Sequence, residues 1–267
     1  MLSYRHGFHA GNFADLLKHL VLVQIIEYLK TKPAPIRYID THAGAGLYDL
    51  DNAMSRKTGE FRDGVGALDL AALPQEAEAF CRLLGPFLAC NQYPGSPLIA
   101  ARLLRRQDEL RLYEMHSTEF PKLAGLFARD RRVRALKEDG FGALKSQLPV
   151  QNARALILID PSYELDSDYQ RVVTGVAEGL RRMPHAVYGI WYPLVATHDP
   201  ESMLNQLANL GGEKSLRVEL SVDRNPRAGG MNATGMFIIN PPWLLARQLR
   251  EILGQVSQQL GGRFDVQ

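Results

Sequence analysis

The residues best suited to chemistry follow a continuous apolar run, 155–159, and are Asp160, Pro161, Ser162 and Tyr163. Such runs are typical of strands buried inside a parallel sheet, so these residues are expected at a sheet edge. An aromatic amino group is a poor nucleophile, because its lone pair is delocalised into the ring, and two acceptors that hold its hydrogens would assist it. The Asp160 carboxylate and the Pro161 carbonyl are suitable acceptors, and Tyr163 can stack on a base, a contact of about 1–3 kcal/mol. Taken alone, Asp-Pro after a strand is also an ordinary turn.

A second candidate is a turn with two glycines that follows another apolar strand. Asp40 ends the strand, and Gly44 and Gly46 lie in the turn after it. Glycines let the backbone approach a ligand closely, and open α/β sheets bind cofactors at this edge. A dinucleotide fingerprint would need a third small residue where Asp49 stands, so a dinucleotide site is disfavoured. The same turn can be purely structural.

Two acidic residues end the next two strands. Glu114 ends the run 110–114, and a carboxylate there can accept hydrogen bonds from both ribose hydroxyls of an adenosine. Asp139 follows the next strand and could accept the amino group of a cofactor adenine. An exposed strand terminus is the simpler explanation for either residue alone. Together with Asp40 and Asp160, they favour a single site at one edge of a sheet.

These residues need a sheet to bring them together, and β-rich runs alternate with helical patterns from residue 36 onward. The alternation predicts an α/β fold with a mostly parallel sheet. Seven strands are predicted, at 36–40, 110–114, 133–137, 155–160, 186–192, 216–222 and 235–239. Helices are predicted at 96–106, 117–129, 141–147, 168–182 and 200–210. An earlier helix, capped by Asn12, is predicted to pack on the sheet.

One segment interrupts the alternation. Residues 49–93 separate the first strand from its expected helix and have helical patterns of their own. We therefore predict one main domain, formed by 1–48 and 94–267, with an inserted helical subdomain at 49–93.

The composition is that of a folded globular protein, with 46% hydrophobic and 22% charged residues. A formal charge of +2 neither requires nor excludes a nucleic-acid partner. Two arginine clusters could contact phosphates or simply be solvated helix ends: Arg102, Arg105 and Arg106, and Arg129, Arg131, Arg132 and Arg134.

Cys81 and Cys90 have no CxxC spacing, which argues against a disulfide framework or a zinc ribbon. No signal peptide and no run long enough to span a membrane is found, so a cytoplasmic protein is expected. We expect a monomer, with no membrane association and no obligate protein partner.

Together the motifs resemble the 23S ribosomal RNA adenine N6-methyltransferase family RlmJ, within the class I methyltransferases. The resemblance covers nearly the whole chain. It rests on Tyr4-Arg5-His6 with His9-Ala10-Gly11-Asn12 and Leu17-Lys18-His19, on Asp40-Thr41-His42-Ala43-Gly44-Ala45-Gly46, on Tyr93-Pro94-Gly95-Ser96-Pro97, on Asp160-Pro161 with Tyr163, and on Asn240-Pro241-Pro242-Trp243. It implies a Rossmann-like fold with a small inserted helical subdomain, S-adenosylmethionine as cofactor, and 23S ribosomal RNA, naked or partly assembled, as partner.

The resemblance also implies roles for individual side chains. Cofactor contacts are implied at Lys18 or His19, His42, Ser96, Glu114, Asp139, Gly140 and Asp160, beside the turn residues Asp40, Gly44 and Gly46. Tyr4 and His6 are implied near the target adenine with Tyr163, and the catalytic group is Asp160, Pro161 and Tyr163. No metal is expected. The family normally has a second proline where this chain has Ser162, which frees a backbone torsion that proline would fix.

Three alternatives remain at this point. A DNA adenine N6-methyltransferase or DNA-utilisation protein would use the same Asp-Pro-x-Tyr chemistry, although an insertion of roughly 45 residues is small for reading the major groove. A non-catalytic nucleic-acid binding protein could retain the fold, and cofactor binding would distinguish it. A metal hydrolase could use His6, His9, His19 and His42, but no carboxylate or cysteine completes a ligand spacing. Trp191 or Tyr192 could also line a base pocket, although core packing explains both.

Overall fold

A computed structural model describes residues 5–195, 199–223 and 231–267, so Tyr4 lies outside the described residues. The strands are β1 (Ile36–Asp40), β2 (Leu47–Asp49), β3 (Gln92–Pro94), β4 (Glu109–Tyr113), β5 (Val133–Leu136), β6 (Arg154–Ile159), β7 (Val187–Leu194), β8 (Ser215–Val222), β9 (Ala233–Ile239) and β10 (Gly262–Val266). The α-helices are α1 (Phe13–Lys30), α2 (Ala53–Thr58), α3 (Glu78–Leu88), α4 (Ser96–Leu103), α5 (Glu119–Leu126), α6 (Ala143–Ser146), α7 (Ser167–Arg182), α8 (Glu201–Gly211) and α9 (Leu245–Leu260).

The main sheet has the order β10-β8-β9-β7-β6-β1-β4-β5. The strands from β7 to β5 are parallel to one another, whereas β9 is antiparallel to both β7 and β8. After β1 the chain builds β4 and β5 on one side and then returns to build β6 and β7 on the other. The carboxyl end of β1 therefore lies at a topological switch point, where open α/β sheets bind ligands.

The predicted α/β class and the mostly parallel, Rossmann-like sheet are confirmed, but the count of seven strands is wrong, because the sheet has eight. The eighth, β10, pairs antiparallel with β8 at the sheet edge. Its residues Arg263 to Asp265 are exposed, so it carries little of the apolar alternation that marks the other strands. Helix α9, which is not among the predicted helices, leads into it.

Helix α1 begins as predicted, because the Asn12 side chain accepts a hydrogen bond of 2.9 Å from the Asp15 N–H. Its first fourteen residues, 13–26, are all buried, since the helix packs against α3, α4 and α9 as well as against β8 and β9. This complete burial makes its polar residues informative, because a buried charge needs a partner. One of the two apolar cores lies on the α1 side of the sheet and the other on the α7 side.

The segment 49–93 starts and ends at a two-stranded ladder, in which β2 pairs antiparallel with β3. Between them lie α2, α3 and four short 3-10 turns. Phe80 and Leu84 of α3 are buried in the same core as α1. The division into two domains stays a prediction. Among the described residues, no helix combines the length and apolar character needed to cross a membrane.

Candidate active site

A cavity of about 320 Å³ lies at the carboxyl ends of the central parallel strands. Most of the predicted site residues line it: His6, Lys18, His19, His42, Gly44, Ser96, Glu114, Asp139, Gly140, Asp160 and Pro161. Asp40, Gly46 and Tyr163 do not line the cavity but lie beside it. The sheet thus brings together side chains that are up to 155 positions apart in the sequence, from His6 to Pro161.

A buried charge cluster joins α1 to the end of β6. The Lys18 Nζ lies 2.6 Å from Asp160 Oδ2 and 2.9 Å from Asp15 Oδ1. The Asp15 Oδ2 lies 2.9 Å from His6 Nε2 and accepts the Gly11 N–H. Sequence reasoning missed Asp15, although a carboxylate one turn before a lysine in an otherwise apolar helix was a usable signal.

Within this cluster the pKa of Asp15 is lowered, whereas the pKa values of Asp160 and Lys18 are raised. Burial opposes ionisation of Asp15, but its interactions with His6 and Lys18 outweigh burial and hold the pKa of Asp15 well below its usual range. At Asp160, burial outweighs the attraction of Lys18 and raises the pKa. The pKa of Lys18 is raised, because its two carboxylate partners outweigh its burial. Lys18 therefore stays charged, while Asp160 is a better proton acceptor than an exposed aspartate.

Asp40 ends β1 just before the glycine turn, and its Oδ1 accepts the His42 N–H at 3.3 Å. This carboxylate is fully buried and accepts hydrogen bonds of 2.7 Å from both the Tyr38 and Ser96 hydroxyls. Burial raises its pKa to about 6, against the effect of these two donors. Gly44 and Gly46 have φ of +62° and +82°, a region that favours glycine. Both glycines therefore allow the turn, and of the three residues only Gly44 lines the cavity among the described residues.

Glu114 and Asp139 come from adjacent strand ends. Glu114 Oε2 accepts the Gly44 N–H at 2.8 Å, so the acidic residue and the glycine turn are joined directly. Burial raises the pKa of Glu114, and hydrogen bonds from backbone N–H groups oppose that rise. Asp139 Oδ1 accepts the Phe141 N–H at 3.1 Å. A Cβ on Gly140 would lie 1.7 Å from the Thr41 carbonyl oxygen, so only glycine fits there.

Two histidines in the cavity are neutral at neutral pH. Burial lowers the pKa of His19 to about 3 and that of His42 to about 4. His19 Nδ1 is bonded to the Tyr93 hydroxyl at 2.8 Å, and its Nε2 is buried without a partner among the described residues. His42 Nδ1 is bonded to Thr41 Oγ1, and its ring meets Phe141 edge-on at 5.0 Å.

The loop after β6 holds its aromatic residue in an unusual conformation. Tyr163 has φ of +52°, is buried, and donates its hydroxyl proton to the Trp191 carbonyl oxygen at 2.7 Å. Its ring contacts Tyr169 and Trp191, with centroid separations of 4.6 and 5.9 Å. Positive φ at a non-glycine residue costs energy and is often found at functional sites. Ser162 lines the cavity beside it.

Trp191 lines the cavity, and its indole nitrogen is buried without a partner in the described ranges. The Lys18 Nζ lies 5.9 Å from the centroid of its ring. Tyr192, the other aromatic residue considered, is fully buried and donates to Glu219 at 2.8 Å. Core packing therefore explains Tyr192, while Trp191 joins the residues around Asp160.

Two arginines of the two clusters, Arg105 and Arg132, have structural partners. The Arg105 guanidinium binds Asp108 and the carbonyl oxygens of Lys32 and Ala34. The Arg132 guanidinium binds Asp130 and the carbonyl oxygens of Ala101 and Leu104. These contacts tie loops together at the end of the sheet opposite the cavity.

The Asn240-Pro241-Pro242-Trp243 motif also lies at the opposite edge of the sheet, because it follows β9, which runs antiparallel to β7. The Asn240 amide donates to the Pro184 and Ala186 carbonyl oxygens. This motif therefore ends a strand, as the structural interpretation expects. Across the residues that the structure describes, no group of three His, Cys, Asp or Glu side chains is arranged to hold a metal ion.

Comparison with known proteins agrees with this geometry. A family model described as Ribosomal RNA large subunit methyltransferase D, RlmJ, matches residues 33–265. The chain is 46% identical to the Ribosomal RNA large subunit methyltransferase J of Escherichia coli (strain K12), over 97% of this chain and 94% of that protein. It is 42% identical to the protein of the same name from Haemophilus influenzae, with the same two coverages.

A solved structure is similar over almost the full length. The crystal structure of a protein from Legionella pneumophila superposes with a TM-score of 0.89 at 31% identity, covering 97% of this chain and 98% of that one. The family model and the two relatives identify one family, and each of them matches most of this chain. The chain belongs to the RlmJ family of ribosomal RNA large subunit methyltransferases.

Proposed function

We propose that this protein transfers a methyl group from S-adenosylmethionine to the exocyclic N6 of an adenine in 23S ribosomal RNA. The observation that carries the chemistry is Asp160, which directly follows the central strand β6, lines the cavity and has its Oδ2 held 2.6 Å from Lys18 Nζ. The names of the two relatives support a substrate in the RNA of the large ribosomal subunit.

The hydrogen-bonding groups that line the cavity fit S-adenosylmethionine. Glu114 and Asp139 present carboxylates from neighbouring strand ends, suited to ribose hydroxyls and to the adenine amino group. His19 Nε2 is a buried polar atom without a partner in the described part of the chain, as expected where a ligand completes the hydrogen bonding. When bound, the cofactor supplies an electrophilic methyl group on a sulfonium.

The residues around β6 would hold the target amine. Asp160 Oδ2 is occupied by Lys18, and within the described residues Oδ1 carries no hydrogen bond, so it can accept one N6 hydrogen. The Pro161 carbonyl would accept the other hydrogen. The amine nitrogen, with its hydrogens held by Asp160 and Pro161, would bond to the methyl carbon that S-adenosylmethionine supplies on leaving as S-adenosylhomocysteine, and would then lose one proton. Because burial raises its pKa, the Asp160 carboxylate can take that proton after transfer.

The target adenine must leave its stack to reach Asp160, which favours RNA that presents a splayed base. Trp191 and His6 are the described cavity residues beside Asp160 and Lys18 that can contact an extruded base. Tyr163 would contribute after its ring becomes accessible, since its hydroxyl and ring are now occupied by Trp191 and Tyr169. Tyr4 is proposed as a further contact.

The experiment compares transfer of labelled methyl into unmodified 23S ribosomal RNA and into unmethylated DNA, with N6-methyladenine identified by mass spectrometry. Asp160→Asn is expected to lower the rate about 100-fold or more. Asp265→Asn, on the distant edge strand β10, is the matched control and is expected to keep full activity.

Each outcome has a distinct meaning. Label in RNA that depends on Asp160 supports the proposal. Label in DNA alone would show that the substrate is DNA and not RNA. Binding of S-adenosylhomocysteine without transfer to either would favour a non-catalytic binding protein.

A further inference from the structure

An arginine on the opposite side of the cavity from Lys18 makes three contacts that the proposed chemistry does not use. Arg171 of α7 donates from Nη2 to Asp139 Oδ2. Its guanidinium carbon lies 4.0 Å from the centroid of the Phe141 ring. Its Nη1 lies 3.6 Å from Asp168 Oδ1, one turn earlier on α7. All four residues line the cavity.

Asp139 needs such a partner, because it lies on the loop that joins β5 to α6. Its Oδ1 accepts the Phe141 N–H, which fixes one oxygen but leaves the carboxylate plane free to rotate about that bond. The Arg171 guanidinium binds the second oxygen of Asp139 through Nη2 and faces Asp168 through Nη1, so its planar fork bridges the two carboxylates, which an ammonium does not do as well. The same guanidinium packs on Phe141 and thereby holds that ring next to the carboxylate.

Asp168 in turn holds Arg171. Its residue exposure is 7%, and its backbone N–H donates to the Leu165 carbonyl oxygen in the loop that follows Asp160. The Arg171 guanidinium is thus held between Asp168 on its own helix and Asp139 on the loop. The contact between Arg171 and Asp139 therefore connects helix α7 to the β5–α6 loop.

We propose that Arg171 is a positioning residue for the adenine end of the cofactor site, and that it sets the selectivity of the site for a 6-aminopurine over a 6-oxopurine. It fixes the Asp139 carboxylate in the orientation that accepts the amino hydrogen, and it holds Phe141 as one wall of the adenine site. An oxo group at the same position would face that carboxylate with no hydrogen to donate. The inference rests on the proposed function, because it assumes that the cavity takes S-adenosylmethionine.

The test measures binding by calorimetry, independently of methyl transfer. The two probes are S-adenosylhomocysteine and S-inosylhomocysteine, in which hypoxanthine replaces adenine. The wild type is expected to prefer the adenine compound. Arg171→Met is expected to weaken S-adenosylhomocysteine binding about tenfold and to reduce the preference between the two probes. Arg171→Lys keeps the charge without the planar fork, so its preference should lie between those of the wild type and Arg171→Met.

The control variant is Arg181→Met. Arg181 lies on the same helix and makes a comparable ion pair with Glu178 at 2.8 Å, but it is exposed and far from the cavity. This variant should keep both affinities and their ratio. Asp168→Asn should shift the ratio in the same direction as Arg171→Met, by a smaller factor.

If Arg171 has only a structural role, Arg171→Met should lower the melting temperature or weaken the binding of both probes equally. An unchanged ratio of the two affinities in Arg171→Met would overturn the inference. So would a wild type that binds S-adenosylhomocysteine without preferring it over the inosine compound. Binding of neither probe by the wild type would instead contradict the proposed function. If Arg171→Met does not fold, the ratio measured with Arg171→Lys and Asp168→Asn decides.

Discussion

Lys18 compensates two buried carboxylates at once, and its side chain is only 5% exposed. Its ammonium group lies between Asp15 and Asp160. A buried charge whose partner is removed is strongly destabilising, because water cannot replace the lost interaction. Lys18 therefore links Asp160, the proposed catalytic carboxylate, to Asp15 in the first turn of α1.

Lys18→Met is expected to lower the free energy of unfolding by about 3–5 kcal/mol, because it leaves both carboxylates without their shared cation. Lys18→Met with Asp160→Asn should recover part of this loss, since one of the two charges is then absent. Urea denaturation without ligand measures the free energy of unfolding of both variants. Lys122→Met is the matched control, since Lys122 also pairs with a carboxylate three residues away but is 52% exposed. A loss equal to that of Lys122→Met would contradict this account.

His19 makes the stability of the free protein sensitive to acid. Burial lowers the pKa of His19 from 6.5 to about 3, so the folded state binds fewer protons than the unfolded state in this range. The stabilisation is present above pH 6.5 and is lost as pH falls toward 3. The loss attributable to His19 between pH 6.5 and 4 is about 3 kcal/mol.

His19→Gln should therefore show a shallower decrease of unfolding free energy between pH 6.5 and 4 than the wild type. Some slope should remain, because burial shifts the pKa of His42 in the same direction. His185→Gln, at an exposed position, should retain the full slope. Equal slopes in the wild type and in His19→Gln would show that His19 is not buried in its neutral form.

At the scale of elements, the β5–α6 loop must approach β1 very closely. The backbone of Gly140 packs on the Thr41 carbonyl, and this contact brings Asp139 into the same cavity as the glycine turn. The loop and the turn belong to different βα units, so their relative position depends on this one backbone contact as well as on the sheet register. A side chain there would separate the two halves of the predicted cofactor site.

Gly140→Ala is expected to lower stability by about 1–3 kcal/mol, because the added Cβ meets backbone atoms that cannot move independently. S-adenosylhomocysteine binding, measured by calorimetry, should weaken at least severalfold. Gly142→Ala is the matched control in the same turn, since a Cβ there has no neighbour within 4 Å among the described residues. If the two variants bind equally well, close approach of the loop is not needed for the site.

At the scale of the whole molecule, the sheet ends with β10 beside β8. Strand β10 makes an antiparallel ladder from Gly262 to Val266, and Val266 is buried. It therefore covers an edge of β8 that would otherwise present free N–H and C=O groups. Helix α9 packs against both strands and against α1, which connects this distant edge to the helix that carries Lys18.

Removal of residues 262–267 is expected to lower the melting temperature by about 4–8 °C, equivalent to about 2 kcal/mol of lost burial and pairing. The exposed β8 edge should also promote association, visible as earlier elution in size-exclusion chromatography. Arg263→Gln keeps the strand and changes only an exposed side chain, so it should match the wild type. An unchanged melting temperature after truncation would show that β10 does not stabilise the sheet.

Much of this molecule follows from patterns that are local in the sequence. Apolar runs such as 155–159 are strands because their residues are buried on both faces, and the side-chain cap at Asn12 begins α1 as predicted. Strand ends marked by Glu114 and Asp160 meet at one cavity, because the carboxyl ends of parallel strands share one edge. The α/β class was therefore determined by the sequence, and most of the site residues predicted from it line the cavity.

Other features depended on the tertiary structure. Strand β10 has mostly exposed side chains, so only its pairing with β8 makes it a strand. Asp40 and Tyr163 have suitable positions in the sequence, but packing buries the first and engages the second with Trp191. Charge partnerships such as Lys18 with Asp160 join residues 142 positions apart. Burial and long-range pairing are properties of the folded chain, and they decide which of the chemically suitable residues face the cavity and which support it.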